Sequence, residues 1–444
     1  MSRVTRLPKD PGPAGWNALL PAAPPARVLD ARITADWLVI GAGFAGLAAA
    51  RRLSQLRPGE RIVLLEASRV GEGPAGRNTG FMIDLPHDLA SNGYAGLAEA
   101  DARQIRLNRA AIAFAAEAAE EYGLSPEAFS RDGKVNAAAT QGGLAHNARY
   151  ARHLARLGEP HELLDAQDMR ALTGSGYYLG GLRTPGAAMI QPAMFVRGIA
   201  RGLAPVVDIF EQSPVTALAR EGADWGAETP EGAVTAPRVI LGVNGHAESF
   251  GFFRRRLMHV HLYASMTRAL TRGEVKRLGG APRWGLTPAD PMGTTVRRIS
   301  GTGGDRIVVR NRVTYDPSME IRESRIGAMG RSHDASFAAR FPMLAGVAME
   351  YRWAGRLCLS RNGVPAFGEV ERGVFAACCQ NGLGVARGTA AGMLAAELAG
   401  QGNNPLLAEL LAYDAPSRLP PEPFASIGAT VALRWKEWRA GREV

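Results

Sequence analysis

The 444-residue sequence predicts an α/β protein with two domains, one built on a central parallel sheet and one on a mixed or antiparallel sheet. Near the N-terminus, an apolar strand at 35–40 is followed by glycines, a helical segment at 44–56 and a second apolar strand at 61–66. This strand–helix–strand order is typical of parallel sheets. Later strand-like runs, with few helices between them, indicate the second sheet, and the length suffices for two domains.

The remaining elements follow in order along the chain. Apolar residues recur at helical spacing in three segments, which are 95–122, 141–157 and 191–204. Strand-like runs follow at 205–211, 214–220, 233–243, 257–267 and 306–309. A last strand, at 373–379, leads through a glycine-rich turn into a helix at 388–399. A closing helix is expected near 427–440.

The domains are expected to be discontinuous along the chain. Residues 1–30, rich in Pro, Ala and Gly, are expected to form an irregular arm on the folded body. The parallel-sheet domain is assigned to residues 31–90, 185–248 and 346–415. The second domain, which would contact the substrate, is assigned to residues 91–184 and 249–345. Residues 416–444 are expected to be a surface appendage with a packing role.

The composition argues against several classes of protein. The net charge of +10 comes almost entirely from scattered arginines, and no nucleic-acid-binding motif accompanies them. Three cysteines offer neither a disulfide framework nor zinc spacing. No apolar stretch reaches the roughly 18–20 residues that span a bilayer, and the proline-broken N-terminus lacks the apolar core of a secretory signal. We therefore expect a cytoplasmic protein without nucleic-acid partners, a transmembrane segment or a metal site.

A glycine-rich turn between the first strand and helix predicts a dinucleotide site. Gly41, Gly43 and Gly46 have the GxGxxG spacing. The first glycine permits the tight turn, the second lets backbone approach a diphosphate, and the third lets the helix pack on the strand. The helix N-terminus would then face the diphosphate. Glu66 ends the second strand, where an acid can accept both ribose hydroxyls, so the sequence predicts a Rossmann-like domain that binds FAD or NAD rather than NADP.

Further motifs distinguish the two cofactors, because a flavin must be held along its length. These motifs are residues 15–17 (GWN), 39–47 (VIGAGFAGL), 65–67 (LEA), 70–71 (VG), 75–81 (AGRNTGF) and 381–385 (NGLGV). Their order and spacing, from about residue 14 to about residue 400, resemble the D-amino-acid-oxidase-like (DAO) superfamily of flavin amine oxidases. Within it, the pattern is most similar to the γ-glutamylputrescine oxidase branch. That branch usually has glycine at the fourth place of Gly-Arg-Asn-Gly-Gly, where this chain has Thr79.

The resemblance implies FAD as the cofactor and a set of residues that contact it. Backbone N–H groups at the second helix start, after Leu383, would meet the flavin edge on which negative charge gathers on reduction. Val215 matches a position whose backbone holds adenine, although it could equally be a core residue. Beyond Gly41, Gly43, Gly46 and Glu66, the implied contacts are Phe44, Ala45, Ala67, Gly76, Arg77, Asn78, Thr79, Gly80, Val215, Asn244, Gly245, Asn381, Gly382, Leu383, Gly384 and Val385.

The resemblance also implies a reaction. A primary or secondary amine, or an amino acid derivative, would lose a hydride from the carbon next to nitrogen to flavin N5, and the imine would hydrolyse. Oxygen, a quinone or a protein could accept the electrons. Two alternatives stay open: an FAD-dependent 2-hydroxy-acid dehydrogenase, and a flavin subunit of a multi-subunit electron-transfer dehydrogenase.

Substrate-facing candidates come from segments that the family uses. They are Arg298, Tyr263, Arg352 and Arg387, with Arg297, His261 and Trp353 beside them. Only one of Arg297 and Arg298 can face a given side of a strand, and one arginine would suit a substrate carboxylate. Each arginine could instead form a structural ion pair.

Three further observations concern the flavin's surroundings. His259 and His261 have same-face spacing but no third metal ligand in the pattern. Cys358 falls near a flavin-linked cysteine of the sarcosine oxidases, but is more readily a buried apolar residue, as are Cys378 and Cys379. Sarcosine oxidases also activate oxygen with a lysine, a role in which neither Lys134 nor Lys276 can be placed from the sequence. Oxygen as the acceptor is therefore in question.

Overall fold

The computed structural model describes residues 2–86 and 96–444. Its helices are α1 (Gly15–Ala18), α2 (Phe44–Leu56), α3 (Ala98–Glu121), α4 (Gln141–Arg156), α5 (Ala166–Thr173), α6 (Pro192–Leu203), α7 (Arg272–Leu278), α8 (Glu323–Arg340), α9 (Gly384–Ala399), α10 (Leu406–Leu411) and α11 (Phe424–Ala440). Its strands are β1 (Ser2–Arg3), β2 (Arg32–Thr34), β3 (Trp37–Ile40), β4 (Ile62–Leu65), β5 (Phe81–Met82), β6 (Phe129–Ser130), β7 (Lys134–Ala138), β8 (Glu162–Leu164), β9 (Gly180–Thr184), β10 (Ala188–Ile190), β11 (Asp208–Phe210), β12 (Ala217–Glu221), β13 (Asp224–Glu228), β14 (Ala233–Ala236), β15 (Val239–Leu241), β16 (Leu257–Thr267), β17 (Trp284–Pro288), β18 (Thr295–Ile299), β19 (Arg306–Tyr315), β20 (Met349–Ser360), β21 (Ala366–Glu371) and β22 (Val374–Cys378).

A six-stranded sheet forms the centre of the first domain. Its order is β11–β4–β3–β15–β22–β21, and every pairing is parallel except that of β21 with β22. Strands β3 and β4 are apolar throughout because both sheet faces are covered, as is usual for parallel strands. Helices α2 and α9 pack so closely on one face that a Cβ at Gly392 would lie 1.9 Å from the Ala45 carbonyl oxygen. The predicted parallel-sheet domain is confirmed.

An eight-stranded sheet forms the second domain, as predicted. Its order is β20–β16–β19–β18–β17–β7–β9–β8, and only β17 and β7 pair in parallel. Strand β20 pairs with β16 along nearly its whole length, although it lies inside the region 346–415 that the sequence assigns to the parallel-sheet domain. The expected domain boundary between residues 90 and 91 lies outside the described residues. The detailed division of the chain therefore stays a prediction.

Most predicted elements are found, with shifted ends. The first helix occupies 44–56 as predicted, whereas the expected helix at 95–122 is α3, and its first expected residue lies outside the described ranges. The run at 233–243 is two strands in two different sheets, β14 and β15. Pro237 stands between them, and a proline cannot donate a ladder hydrogen bond. The helix expected at 388–399 starts four residues earlier, at Gly384.

The C-terminal segment contributes more than the expected surface appendage. Helix α11 packs on β19, and the buried Glu437 carboxylate accepts a hydrogen bond from Arg312. The Glu443 carboxylate reaches further into the second domain, where it accepts hydrogen bonds from the backbone N–H groups of Ala139 and Thr140. Across residues 2–86 and 96–444, no helix combines the length and the apolar character needed to cross a membrane.

Candidate active site

A cavity of about 430 Å³ is lined from both large sheets. On one side its walls are the loops that follow β3, β4, β15 and β22, at the carboxyl ends of the parallel strands, where open α/β sheets bind ligands. The opposite wall comes from β16, β17, β18 and β19 of the eight-stranded sheet. Arm residues such as Leu7 and Asp10, together with Leu433 and Lys436 of α11, complete the lining. Neither contribution from the chain ends was predicted.

The first glycine turn combines close packing with open space. Gly41 has a φ of +97°, and a Cβ at Gly46 would lie 1.7 Å from the Gly41 carbonyl oxygen, so only glycine fits at either position. A Cβ at Gly43 would meet nothing nearer than Ala75, at 3.7 Å. Gly43 is also the N-cap of α2, which has no side-chain cap and no acidic residue in its first turn. The first N–H groups of α2 are therefore suited to bind an anion.

Glu66 follows β4 and lies at the same end of the sheet. Its carboxylate oxygens accept hydrogen bonds from the backbone N–H groups of Ala42, at 2.8 Å, and Ser68, at 3.0 Å. Burial raises the pKa of Glu66, and the two backbone hydrogen bonds oppose that shift. Each carboxylate oxygen keeps a second lone pair, so this side chain could also accept hydroxyl groups of a ribose.

Two tryptophans fix the backbone of the Arg77–Gly80 turn. The indole of Trp16, in the N-terminal arm, donates to the Asn78 carbonyl oxygen at 2.7 Å, and the indole of Trp353 donates to the Arg77 carbonyl oxygen at 2.8 Å. The buried Arg77 guanidinium in turn binds carbonyl oxygens of the arm, and desolvation lowers its pKa. The arm is therefore tied to the cavity wall and does not simply lie on the surface.

The turn before α9 has an unusual backbone. Cys379, Asn381 and Gly382 all have positive φ, and the Asn381 side chain holds the turn through a hydrogen bond from the Ser360 N–H at 2.8 Å. Helix α9 has no side-chain cap and no acidic residue in its first turn. A Cβ at Gly384 would have no atom within 4 Å. A second uncapped helix N-terminus therefore lies at the cavity wall, beside open space.

Cys358 lines the cavity but is not poised as a nucleophile. Its thiol donates to the Asn244 side-chain oxygen at 3.3 Å, and the residue packs among Cys378, Cys379 and Leu257. The neighbouring Cys379 thiol and burial raise the pKa of Cys358 well above its ordinary value. The thiol is therefore protonated at neutral pH.

The wall formed by the eight-stranded sheet is apolar with a few polar groups. Its apolar lining includes Val260, Leu262, Val313, Pro288 and Met292. Its polar lining includes Thr287, Thr295 and Arg310, as well as Arg356 of β20, and α11 adds Lys436. The pairing of β16 with β19 shifts register just after Leu262, and Arg312 on β19 has a positive φ. The residues that face the cavity therefore cannot be identified by counting every second residue along these strands.

A buried polar group lies behind this wall. The Lys134 ammonium donates to the side-chain oxygen of Asn136 and, at 3.3 Å, to the hydroxyl of Thr287, which lines the cavity. Burial lowers the pKa of Lys134 to about 8. Lys276 is instead exposed on α7.

The structure turns two predicted substrate-facing residues away from the cavity. Arg298 donates to the carbonyl oxygens of Gly279 and Ala281, on the far side of β18. Tyr263 is fully buried, its hydroxyl bonds Thr314, and burial raises its pKa to about 12. These two expectations were wrong because odd and even residues of a strand face opposite sides, and the sequence does not show which side holds the cavity.

The other two candidates are also placed elsewhere. Arg352 forms an ion pair with Asp334 of α8, in which it donates to both carboxylate oxygens, at 2.7 and 2.9 Å. This is the structural ion pair that was the alternative role for each arginine. Arg387 is half-buried in α9 and is not among the described lining residues. Among the neighbours considered, His261 pairs with Asp316.

The residues expected to contact the cofactor are largely brought together. Those that line the cavity are Gly41, Gly43, Phe44, Ala45, Glu66, Ala67, Arg77, Asn78, Thr79, Val215, Asn244, Gly245, Asn381, Gly382, Leu383, Gly384 and Val385. Gly46, Gly76 and Gly80 are packing glycines instead, because a Cβ at each would lie within 2.2 Å of a neighbouring atom. In the described part of the chain, no group of three or more His, Cys, Asp and Glu side chains could hold a metal ion.

The walls of the cavity are suited to bind a flavin dinucleotide. Two uncapped helix N-termini reach it, at Gly43 and Leu383, and the space beside Gly43 and Gly384 is open. One helix N-terminus suits a diphosphate and the other suits the electron-rich edge of a ring. Glu66, beside the first of these helix N-termini, could accept the hydroxyl groups of the adenosine ribose.

Comparison with known proteins agrees with this geometry. The model of the DAO family, described as FAD dependent oxidoreductase, matches residues 36–398. The chain is 26% identical over 380 residues to the probable oxidoreductase OrdL of Haemophilus influenzae, covering 82% of each protein. It is also 26% identical over 405 residues to the gamma-glutamylputrescine oxidoreductase of Escherichia coli, covering 90% of each.

Solved structures show the same fold. Glycine oxidase from Geobacillus kaustophilus superposes with a TM-score of 0.69 at 18% identity, over 87% of this chain and 100% of that one. L-Proline dehydrogenase from P. horikoshii superposes with a TM-score of 0.65 at 19% identity, over 86% of this chain and 96% of that one.

Proposed function

The chain belongs to the DAO family of FAD-dependent oxidoreductases, and from this premise we propose that it oxidises the carbon next to the nitrogen of an amine that also carries a carboxylate. FAD is its cofactor. The proposed contacts are the lining residues of the two helix N-termini and Glu66. The names of relatives such as gamma-glutamylputrescine oxidoreductase refer to amines, which supports an amine as the substrate.

The charge of the substrate-side wall carries the proposal. Arg310 and Lys436 line this end of the cavity. Of the two carboxylates among the described lining residues, Asp10 is already paired with Arg356 at 3.4 Å, and Glu66 follows β4 on the opposite wall. A plain diamine would meet cations here, whereas a carboxylate would be bound by them. The amine group would then be the uncharged, reacting part of the substrate.

The proposed reaction needs little acid–base chemistry from the protein. FAD, held by Glu66 and the lining residues of the two helix N-termini, would supply the acceptor for the hydride that leaves the carbon next to the nitrogen. The lone pair of the neutral amine assists that departure, and water hydrolyses the resulting imine. The chain's own residues orient the substrate through Arg310, Thr287 and Thr295, and exclude water through the apolar side chains of β16 and α11.

A panel of reductants tests the proposal. Purified FAD-loaded protein is mixed anaerobically with amino acids, N-alkyl amino acids, amines without a carboxylate and 2-hydroxy acids, and bleaching of the visible flavin absorbance is followed. We expect bleaching by carboxylate-bearing amines. Bleaching only by 2-hydroxy acids would instead support a hydroxy-acid dehydrogenase, which the same cationic wall would suit. Admitting oxygen or a quinone after bleaching identifies the electron acceptor.

If no compound bleaches the flavin unless a second protein is added, the chain would be a flavin subunit of a larger dehydrogenase. Co-purification of that protein with the chain is the matching observation. Either result would overturn the proposal of a self-sufficient amine-oxidising enzyme.

A further inference from the structure

Helix α11 carries a stripe of exposed apolar side chains on its outward face. Phe424 is 68% exposed, Ile427 58%, Val431 63%, Trp435 53% and Trp438 79%. These five residues, the apolar stripe of α11, are half of the exposed large apolar residues in the described chain. They are spaced by three or four positions, so they form one line along the helix. Such a cluster marks an interaction surface, whereas scattered exposed apolar residues do not.

The opposite face of α11 is fixed to the protein. It packs on β19, and Leu433 and Lys436 on that face line the cavity. Glu437, which is also buried, binds Arg312. Helix α11 therefore cannot rotate to bury the apolar stripe without breaking these contacts.

The polar groups beside the stripe are cationic. At 3.6 residues per turn, the exposed Arg434 and Arg439 fall on its two sides. Arg439 lies over the Trp435 ring, 4.9 Å from the centroid. The carboxylates of the segment are engaged, because Glu437 is shared by Arg312 and Arg434, and Glu422 binds Ser426 and Tyr315.

We propose that the apolar stripe of α11 binds the surface of a bilayer that contains anionic phospholipid. An apolar stripe with tryptophans, flanked by arginines, is the pattern of a helix that lies in the plane of the membrane interface. The stripe would enter the boundary between headgroups and acyl chains, and Arg434 and Arg439 would bind lipid phosphates. The helix contributes a length of about 25 Å to this contact.

A second copy of the chain is a poorer occupant. Pairing two stripes in parallel would bring the arginines of both copies together, and the carboxylates of the segment already have partners. Anionic headgroups complement this charge in any orientation of the helix, whereas a second α11 in parallel repels it.

Vesicle flotation tests the proposal with the full-length, FAD-loaded protein. The protein is mixed with vesicles of phosphatidylcholine, with or without phosphatidylglycerol. We expect it to float with the phosphatidylglycerol vesicles and to remain unbound with phosphatidylcholine alone. Vesicles of brominated phosphatidylglycerol should quench tryptophan fluorescence, because Trp435 and Trp438 would lie among the acyl chains.

Two double variants separate the apolar and cationic contributions. The variant Trp435→Ser/Trp438→Ser should lower the vesicle partition coefficient at least about tenfold and abolish the quenching by brominated lipid. The variant Arg434→Gln/Arg439→Gln should weaken binding by about fivefold for each arginine. The control Leu163→Ser/Val206→Ser removes two exposed apolar side chains elsewhere and should bind like the parent. Visible flavin absorbance reports that every variant is folded.

The proposal fails if the parent protein does not bind phosphatidylglycerol vesicles, or if the tryptophan variant binds them as well as the parent does. It also fails if the parent is a dimer by analytical ultracentrifugation and the tryptophan variant is a monomer, because the stripe would then be an interface between two copies.

Discussion

The guanidinium of Arg297 donates a hydrogen bond of 3.0 Å to the carbonyl oxygen of Thr79. It thereby connects β18 of the eight-stranded sheet to the Arg77–Gly80 turn at the cavity wall. The guanidinium also lies over the Trp16 ring, 5.3 Å from its centroid. Burial lowers the pKa of Arg297 to about 10, so the group stays charged at neutral pH. Arg297 is therefore a positioning residue for the turn.

Replacing this arginine should weaken cofactor binding. In Arg297→Met the Thr79 carbonyl loses its charged donor, and the turn is no longer held in place. We expect the Kd for FAD, measured by fluorescence titration of the apoprotein, to rise about tenfold or more. Arg298→Met is the matched control. Arg298 is the next residue along the strand, and its side chain binds carbonyl oxygens on the other side of β18. If Arg298→Met changes the Kd as much as Arg297→Met does, Arg297 has no special role.

Two glycines of the first turn should respond differently to alanine. A Cβ at Gly46 would lie 1.7 Å from a backbone oxygen, so Gly46→Ala should lower the free energy of unfolding by at least about 3 kcal/mol. A Cβ at Gly43 has room, so Gly43→Ala should fold normally but bind FAD weakly, since the methyl group occupies the approach to the helix N-terminus. Urea unfolding of the apoprotein and FAD titration measure the two effects.

A helix-interior glycine with open space provides the control for both variants. No atom lies within 4 Å of a Cβ at Gly327 in α8, so Gly327→Ala should gain up to about 1 kcal/mol and leave FAD binding unchanged. Equal loss of stability in Gly43→Ala and Gly46→Ala would contradict the distinction.

The cofactor side of the cavity could be predicted because its signals are local in the sequence. Gly41 and Gly46 must be glycines because the backbone of a single turn comes too close for a side chain. Glu66 follows β4, which pairs with β3 just before that turn. A short motif therefore contains nearly all of the geometry. The same reasoning located the uncapped start of α9, although the helix begins earlier than expected.

The substrate side could not be predicted in the same way. Alternation along β18 requires that Arg297 and Arg298 face opposite sides, but the neighbouring layer decides which side holds the cavity. Arg310 lies two residues before Arg312, where the pairing of β16 and β19 shifts register and the facing of the β19 side chains changes. Lys436 arrives from the far end of the chain. These placements depend on contacts between distant segments, which a single sequence does not show.

Arg310 should determine the affinity for the substrate carboxylate. Arg310→Met removes one cation from the substrate-side wall and should raise the KM for a carboxylate-bearing amine about 10–100-fold, with a smaller effect on kcat. The KM for an amine without a carboxylate should hardly change. Steady-state kinetics with the two substrates measure the difference, and Lys436→Met provides the second arm of a double-mutant cycle. An equal rise of KM for both substrates would argue against a carboxylate contact.

Glu443 should stabilise the folded state although it is the penultimate residue. One of its carboxylate oxygens accepts hydrogen bonds from the N–H groups of Ala139 and Thr140 and from the Thr140 hydroxyl. Glu443→Ala leaves these donors buried without an acceptor and should lower the free energy of unfolding by about 2–4 kcal/mol in urea titrations. The neighbouring Arg442→Ala, at an exposed position, should change it by less than about 1 kcal/mol. Similar stability of both variants would show that the C-terminus does not hold the second domain together.

The buried ammonium of Lys134 should make stability depend on pH in the alkaline range. Burial lowers its pKa from 10.5 to about 8, so between these values the unfolded chain binds more protons than the folded chain. The free energy of unfolding therefore rises with pH from about 8 to about 10.5, and below about pH 8 the charged lysine costs about 3 kcal/mol. Lys134→Met avoids this cost but loses the hydrogen bonds to Asn136 and Thr287.

The variant Lys134→Met should thus gain most relative to the parent at pH 7, and this advantage should shrink by about pH 10. Urea unfolding of both proteins at the two pH values measures it, with Lys276→Met, at an exposed position on α7, as the control for the loss of a lysine. The effect belongs to Lys134 only if its variant differs from the parent in a pH-dependent manner and the control does not. A stability difference that is the same at pH 7 and pH 10 would mean that Lys134 keeps its ordinary affinity for the proton.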